Sequence, residues 1–192
     1  AGVKRVIVNV HYLADQMETV DVDAIHTARD VMRGTIARQF RDAWLATYRN
    51  NQSSGPYSPA AEQAGQRALK NAALSYLSAT GESADVDLVA EQYRQADNMT
   101  DRLTALILLG TLETPEHQVA LDDFYQRFKG DDLVVNKWLS AQAMSPRPDT
   151  LDRVKALLNH ESFTIKNPNK VYSLVGGFIM GNPVGFHRKD GA

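Results

Sequence analysis

Asn98-Met99-Thr100-Asp101-Arg102-Leu103-Thr104-Ala105-Leu106-Ile107-Leu108-Leu109-Gly110, followed after three residues by Thr114-Pro115-Glu116, is the stretch on which the fold turns. Asn98 with Asp101 three positions on has the form of a capping box, the Asn98 side chain accepting from the free amide of Asp101 at the positive end of a helix. The apolar run behind it predicts a helix to about Leu112, and Thr114-Pro115 repeats the signal of a cap followed by a proline at the first helical position. Gly130, after Phe124, Phe128 and Lys129, closes that second helix at 129. Two helices joined by a few polar residues form a hairpin, and the rest of the chain repeats that grammar.

Toward the N-terminus, Ile25, Ala28, Val31, Met32, Thr35, Ile36, Phe40, Ala43, Trp44 and Tyr48 recur at helical spacing, which predicts one long helix over 23–49. Residues 50–57 are a turn cluster, after which Ser58-Pro59 caps a helix running to about Ala79. A segment from about Ala84 to Gln95 carries Val86, Val89, Ala90 and Tyr93 on one face. Beyond Gly130, Asp131 or Asp132 opens a helix with Leu133, Val134, Lys137, Trp138, Ala141 and Met144, stopped by Pro146 and Pro148. Asp149 with Asp152 caps another to about Asn159, Asn167-Pro168-Asn169 introduces one to Met180, and Asn182-Pro183 starts a last turn. About eight helices on short polar connections predict an all-α chain of antiparallel hairpins stacked as an ARM/HEAT-like α-solenoid. Trp44, Trp138, Phe124, Phe128 and Tyr93 fall at core positions.

Residues 1–18 read differently. Arg5-Val6-Ile7-Val8-Asn9-Val10 is rich in β-branched residues and predicts a lone strand, which needs a pairing partner outside its own segment. The domain reading is therefore a strand-like segment over 1–18 and a helical domain over 19–192.

Composition excludes several classes. The 192 residues carry 21 basic and 23 acidic side chains, so no basic surplus marks a nucleic-acid surface. With no Cys there is neither disulfide nor thiolate site, which suits a reducing compartment and points to the cytoplasm. The longest strongly apolar stretch, Leu103 to Leu109, is far below the ~20 residues that span a bilayer, so no membrane is expected.

Chemistry is sparse. No two of His11, His26, His117, His160 and His187 stand one helical turn apart, and His160-Glu161 departs from HExxH because Thr164 takes the second histidine position. Asp85-Asp87, Asp122-Asp123 and Asp131-Asp132 sit at helix starts or on faces that read as solvated, where capping accounts for them. Gly176-Gly177 and Gly181 lack the strand and the GK[ST] ending of a phosphate loop and read as close helix packing. Ser53, Ser54 and Ser58 have no GxSxG context. No catalytic residue and no metal ligand is assigned.

Taken in order, Ala96-Asp97-Asn98-Met99-Thr100-Asp101, Asn136-Lys137-Trp138, Gln142-Ala143-Met144-Ser145-Pro146, Phe163-Thr164, Asn167-Pro168-Asn169, Asn182-Pro183, Phe186-His187 and Asp190-Gly191 give a chain that resembles, from about Tyr12 onward, the C-terminal helical domain of the bacterial aminopeptidase N family of zinc peptidases. That family's GxMEN and HExxH motifs do not occur here. The resemblance implies a non-catalytic domain that covers the catalytic domain of the same polypeptide and gates the entry of peptide substrates, with zinc held in the parent enzyme and no cofactor in this chain. It also points to Asn98, Asp101, Arg102, Asn167, Asn169 and Lys170 as residues facing the cavity or the partner domain. The resemblance further implies helices beyond Ala192, whose loss would bare an apolar face; that face and the strand are candidate surfaces for self-association. Residues 1–16 resemble a strand-to-helix segment of sugar-1-phosphate nucleotidyltransferases, which points to a fusion with a crossover near 12–19 or to coincidence in a short variable region. The other readings are a free-standing α-solenoid that binds a protein or peptide on its concave face, and a small enzyme whose site the motifs do not reveal.

Overall fold

The computed structural model describes residues 10–53, 55–188 and 191. Among them the helices are α1 (Val10–Asp15), α2 (Val22–Gln39), α3 (Arg41–Asn50), α4 (Ala61–Leu77), α5 (Ser83–Gln95), α6 (Met99–Leu109), α7 (Pro115–Phe128), α8 (Asp132–Ala143), α9 (Thr150–Leu157), α10 (Pro168–Val171), a π-helical turn (Tyr172–Gly176), α11 (Gly177–Gly181) and α12 (Pro183–Phe186), with no strand. Of the strand expected over residues 5–10, residues 5–9 lie outside the described part. Val10 is the first residue of α1 instead, where local bonds such as Gln16 N–H to the Leu13 carbonyl satisfy a backbone that has no partner strand.

Hairpins build the array. α3 packs on α4, α5 on α6 and α7 on α8, while every second helix also touches the next, α4 on α6 and α6 on α8, with the π-helical turn continuing the series against α8. That alternation gives an inner row of α4, α6 and α8 and an outer row of α5, α7 and α9, the two-layered arrangement of an ARM-like solenoid. One continuous core runs between the rows, centred on Leu74, Leu77, Leu106, Leu109, Leu121, Phe124, Leu139 and Leu174, all buried. Trp44, Tyr93 and Trp138 are buried with them, and Phe128 packs half-buried on the rim. Buried indole and phenol groups keep partners: Trp138 Nε1 donates to the Leu121 carbonyl at 3.0 Å and the Tyr93 hydroxyl to the Ala120 carbonyl at 2.9 Å.

The expected caps at Asn98, Asp131, Asn167 and Asn182 each accept a backbone amide, Asn98 from Asp101 at 3.0 Å and Asn182 from Gly185 at 3.0 Å. Three expected boundaries differ. The long first helix is interrupted at Phe40, whose backbone leaves the helical region at φ −114° and ψ 24°. The interruption turns α3 so that Trp44 lies flat on Tyr76, ring centroids 4.3 Å apart, while the Trp44 indole donates to the Ile36 carbonyl. Ser58 makes a local turn, its hydroxyl accepting from Ala60, and α4 begins at Ala61, two residues after the expected first helical position at Pro59. Asp149 caps nothing, because Arg147 and Arg153 hold its two oxygens at 3.0 and 2.8 Å.

The helix C-termini are tied by side chains that take up carbonyls left without a helical partner. Ser145 Oγ donates to the Gly110 carbonyl at 2.6 Å, the Ser145 carbonyl accepts from Thr150 and Asn182, and Arg147 reaches the Leu112 carbonyl at 2.9 Å. Gly181 acts as a spacer here, since a Cβ on it would stand 2.6 Å from Met144 Cγ, whereas one on Gly177 would make ordinary contact with the Ala143 Cβ at 3.4 Å. The far end returns to the beginning, since α12 packs on α2 as well as on α9.

Gly81, between α4 and α5, has φ +79° with open space where a Cβ would lie. Gly81→Ala is therefore expected to cost only backbone strain, about 1 kcal/mol, seen as a lower urea midpoint at unchanged slope; a midpoint at or above that of the unaltered chain would remove the assigned role of this turn.

Candidate functional site

Asn98, Asp101 and Arg102 fold back on the α5–α6 turn. The Asp101 carboxylate is buried and accepts from Lys70 Nζ at 2.6 Å, Asn71 Nδ2 at 2.8 Å and Asn98 Nδ2 at 3.0 Å. Gln92, also buried, donates to Asn71 Oδ1 at 2.8 Å and to the Asp101 carbonyl at 3.1 Å. These bonds lock α4, α5 and α6 together around an ion pair whose charges are nearly out of water. Arg102 donates to the Tyr93 carbonyl at 3.0 Å and to the Ala96 carbonyl, closing the end of α5, and its guanidinium lies over the Tyr93 ring.

The second group lies at α10. Asn167 caps that helix by accepting from Asn169 N–H at 3.0 Å. Lys170 is buried along its stem and reaches Asp132 at 2.8 Å, pinning α10 to the start of α8. Asn169 is exposed and lines a groove. The two groups thus occupy the beginnings of α6 and α10, on either side of α8, and do not converge on one atom.

Between α6, α8 and the α10–π segment runs an open groove with a cavity volume of about 660 Å³. Its walls are Leu103 and Ile107 from α6 and Thr111 just after it, Leu133, Lys137, Ser140, Ala141 and Met144 from α8 and its end, and Asn169, Tyr172 and Ser173 opposite. Leu133 and Tyr172 are 70% and 73% exposed, so these two are open to water, while Leu103 and Ala141 of the same lining pack against the core. The Asn136 side chain also lines it, with its Oδ1 buried and without a hydrogen-bond partner. A π-helical turn at its wall is the kind of local irregularity that recurs at ligand sites. Ser140 Oγ donates to the Ser173 carbonyl at 3.0 Å and so holds that turn against α8.

Two polar clusters escaped the sequence reading. Asp85, expected on a solvated face, is fully buried: Arg41 Nε and Nη2 grip it at 2.9 and 2.7 Å and Thr80 Oγ1 donates at 2.6 Å. The signal available was Thr80, five residues before an aspartate at the first turn of α5. His117 is buried, and desolvation, followed by the nearby positive charges of Arg153 and Arg147, lowers its pKa from 6.5 to about 4. His160 packs edge-on to Tyr125 and against Trp138, and its Nδ1 accepts from Ser162 N–H at 3.1 Å, so it serves packing and a local turn. Among the described residues no three His, Cys, Asp or Glu side chains come together as a metal site, so this donor set does not fit a tetrahedral zinc ion. No described helix is long and apolar enough to cross a membrane.

A family model described as a domain of unknown function (DUF3458_C) with ARM repeats matches residues 7–192, beginning inside the segment compared above with nucleotidyltransferases. Aminopeptidase N of Escherichia coli (strain K12) is 37% identical over 186 residues, which is 96% of this chain and 21% of that protein. Aminopeptidase N of Caulobacter vibrioides is 35% identical over 180 residues, 94% of this chain and 21% of that protein. The crystal structure of Legionella pneumophila aminopeptidase A in complex with aspartic acid superposes with a TM-score of 0.84 at 32% identity, over 95% of this chain and 22% of that one. The chain spans about a fifth of the length of the curated relatives it matches. It belongs to the DUF3458_C family of ARM-repeat domains and is similar to the C-terminal part of aminopeptidase N.

Proposed function

We propose that this chain is the non-catalytic helical domain of a zinc-dependent aminopeptidase, and that it lies over the catalytic domain and controls which peptides reach the metal. The observation that carries the reading is the match of more than nine-tenths of this chain to about a fifth of three aminopeptidases. The open apolar groove supports the finer part, because a surface of that kind suits contact with peptide or with a partner domain. Zinc, the general base and the N-terminal amine subsite belong to the partner domain in this reading. The contribution of this chain is steric and electrostatic, through α6, α8 and the π-helical turn. Asn169 and Tyr172 take the position of groove residues, while Asn98, Asp101, Arg102, Asn167 and Lys170 hold the framework behind it.

The test uses the full-length parent enzyme with Leu133→Asp, a position that is largely exposed and in the first turn of α8, where a carboxylate is compatible with the helix dipole. Hydrolysis of an alanyl anilide should stay within about twofold, whereas kcat/KM for a ten-residue peptide should fall about tenfold, equivalent to roughly 1.4 kcal/mol. Equal losses on both substrates would sink the gating role. Stoichiometric zinc in the isolated chain would sink the division of labour.

A further inference from the structure

Met144, at the end of α8, lays its thioether along a glycine face of α11. Gly177 and Gly181 stand four residues apart and so share one side of that helix. Met144 Cγ, Cε and Sδ lie 2.6, 2.8 and 3.1 Å from the point that a Cβ on Gly181 would occupy, and Cγ lies 3.9 Å from the same point on Gly177. The seat exists because Gly181 has no side chain. On either side of Met144, the Ala143 and Ser145 carbonyls both accept from Asn182 Nδ2, at 3.5 and 2.7 Å. Asn182 follows Gly181 directly and caps α12 through its Oδ1. One side chain therefore covers the joint at which α11 and α12 are fastened to the end of α8. The cover is not sealed, since Met144 is 52% exposed and also forms part of the groove wall.

A thioether that water reaches is open to peroxides. The sulfur lone pair attacks one peroxide oxygen, the S–O bond forms as the O–O bond breaks, the proton on the transferred oxygen passes to the departing one, and hydrogen peroxide is reduced to water while the thioether becomes a sulfoxide. The seat suits the first form and not the second. Backbone amides of a helix point along its axis, so the glycine face offers CH groups and no donor to a sulfoxide oxygen. The oxidised side chain gains by turning out into the water of the groove, and the Gly181 backbone then loses its cover. Met180 is an internal control: it is 81% exposed, so it can take up the same oxygen while staying in water.

We propose that Met144 is a modification site for peroxide, at which sulfoxide formation lifts the side chain off Gly181, loosens α11 and α12 from the end of α8 and puts a polar group in the apolar wall of the groove. The site concerns the packing of this chain by itself and does not depend on the gating reading.

The test treats the full 192-residue chain with hydrogen peroxide, follows oxygen uptake at each methionine by peptide mass, and reads amide hydrogen exchange over residues 177–186. Exchange there should quicken at least about tenfold once Met144 is oxidised, and methionine sulfoxide reductases of both epimer specificities should reverse the change. Met144→Leu keeps the volume and cannot be oxidised, so its exchange should not respond to peroxide, whereas Met180→Leu should respond like the unaltered chain. The proposal is overturned if Met144 stays reduced while Met180 is fully oxidised, or if Met144 is oxidised and exchange over 177–186 is unchanged. An equal response in Met144→Leu would overturn it as well.

Discussion

Replacing Asp101 by Ala should lower the free energy of unfolding by about 3–5 kcal/mol, because it leaves the Lys70 ammonium buried without its counter-charge. The loss extends beyond the pair. Asn71 and Asn98 each lose an acceptor, which loosens the Asn71 amide whose oxygen receives Gln92. Lys70→Met combined with Asp101→Asn should recover much of the loss, since it removes both charges and returns an amide oxygen to the network. Urea unfolding of the three proteins decides the matter. A single-variant loss under about 1 kcal/mol would mean that water reaches the pair, and a double variant weaker than the single would mean that the charges themselves favour the fold.

Acid should weaken the fold in two separate windows. His117 has its folded pKa lowered to about 4 by burial first and by Arg153 and Arg147 next, against an ordinary value of 6.5. The unfolded chain therefore binds the proton more readily, so the stability is complete above pH 6.5 and drains away as the pH falls toward about 4. The difference corresponds to ~3 kcal/mol at most. Asp149 is desolvated, which raises its pKa, but the hydrogen bonds from Arg153 and Arg147 outweigh this and hold it at about 2, so its contribution is lost only between about pH 4 and 2. Urea unfolding from pH 7.5 to 4.5 should show a steep fall that flattens in His117→Gln. Parallel profiles for the two proteins would remove His117 from the account.

Much of the fold was legible because its helix starts are chemical statements. Asn98, Asp131, Asn167 and Asn182 each announce an amide to be capped, and the structure places an oxygen on each. Phe40 announces nothing: it is neither glycine, proline nor a capping residue, and the break there coincides with the Trp44 indole reaching back to the Ile36 carbonyl and stacking on Tyr76. The groove was hidden for a related reason. Leu133, Lys137, Trp138 and Met144 share one helical period, but an inner helix of a layered array has two apolar-compatible faces, one toward the core and one toward the concave side. Trp138 took the first and Leu133 and Met144 the second. Periodicity counts the residues on a face and does not say which side of the wall that face is on. Asp85 was misread for want of its partner, because Arg41 lies 44 residues away.

The return of α12 to α2 changes what kind of object the array is. In an open stack each unit leans only on its neighbours, so damage at one end stays local and the stack can shed units one by one. Here the last helix is a buttress for an early one. Among the described residues α12 thereby couples α2 to α9 directly, so a fault in the late turn reaches the early helix without passing through the hairpins between them.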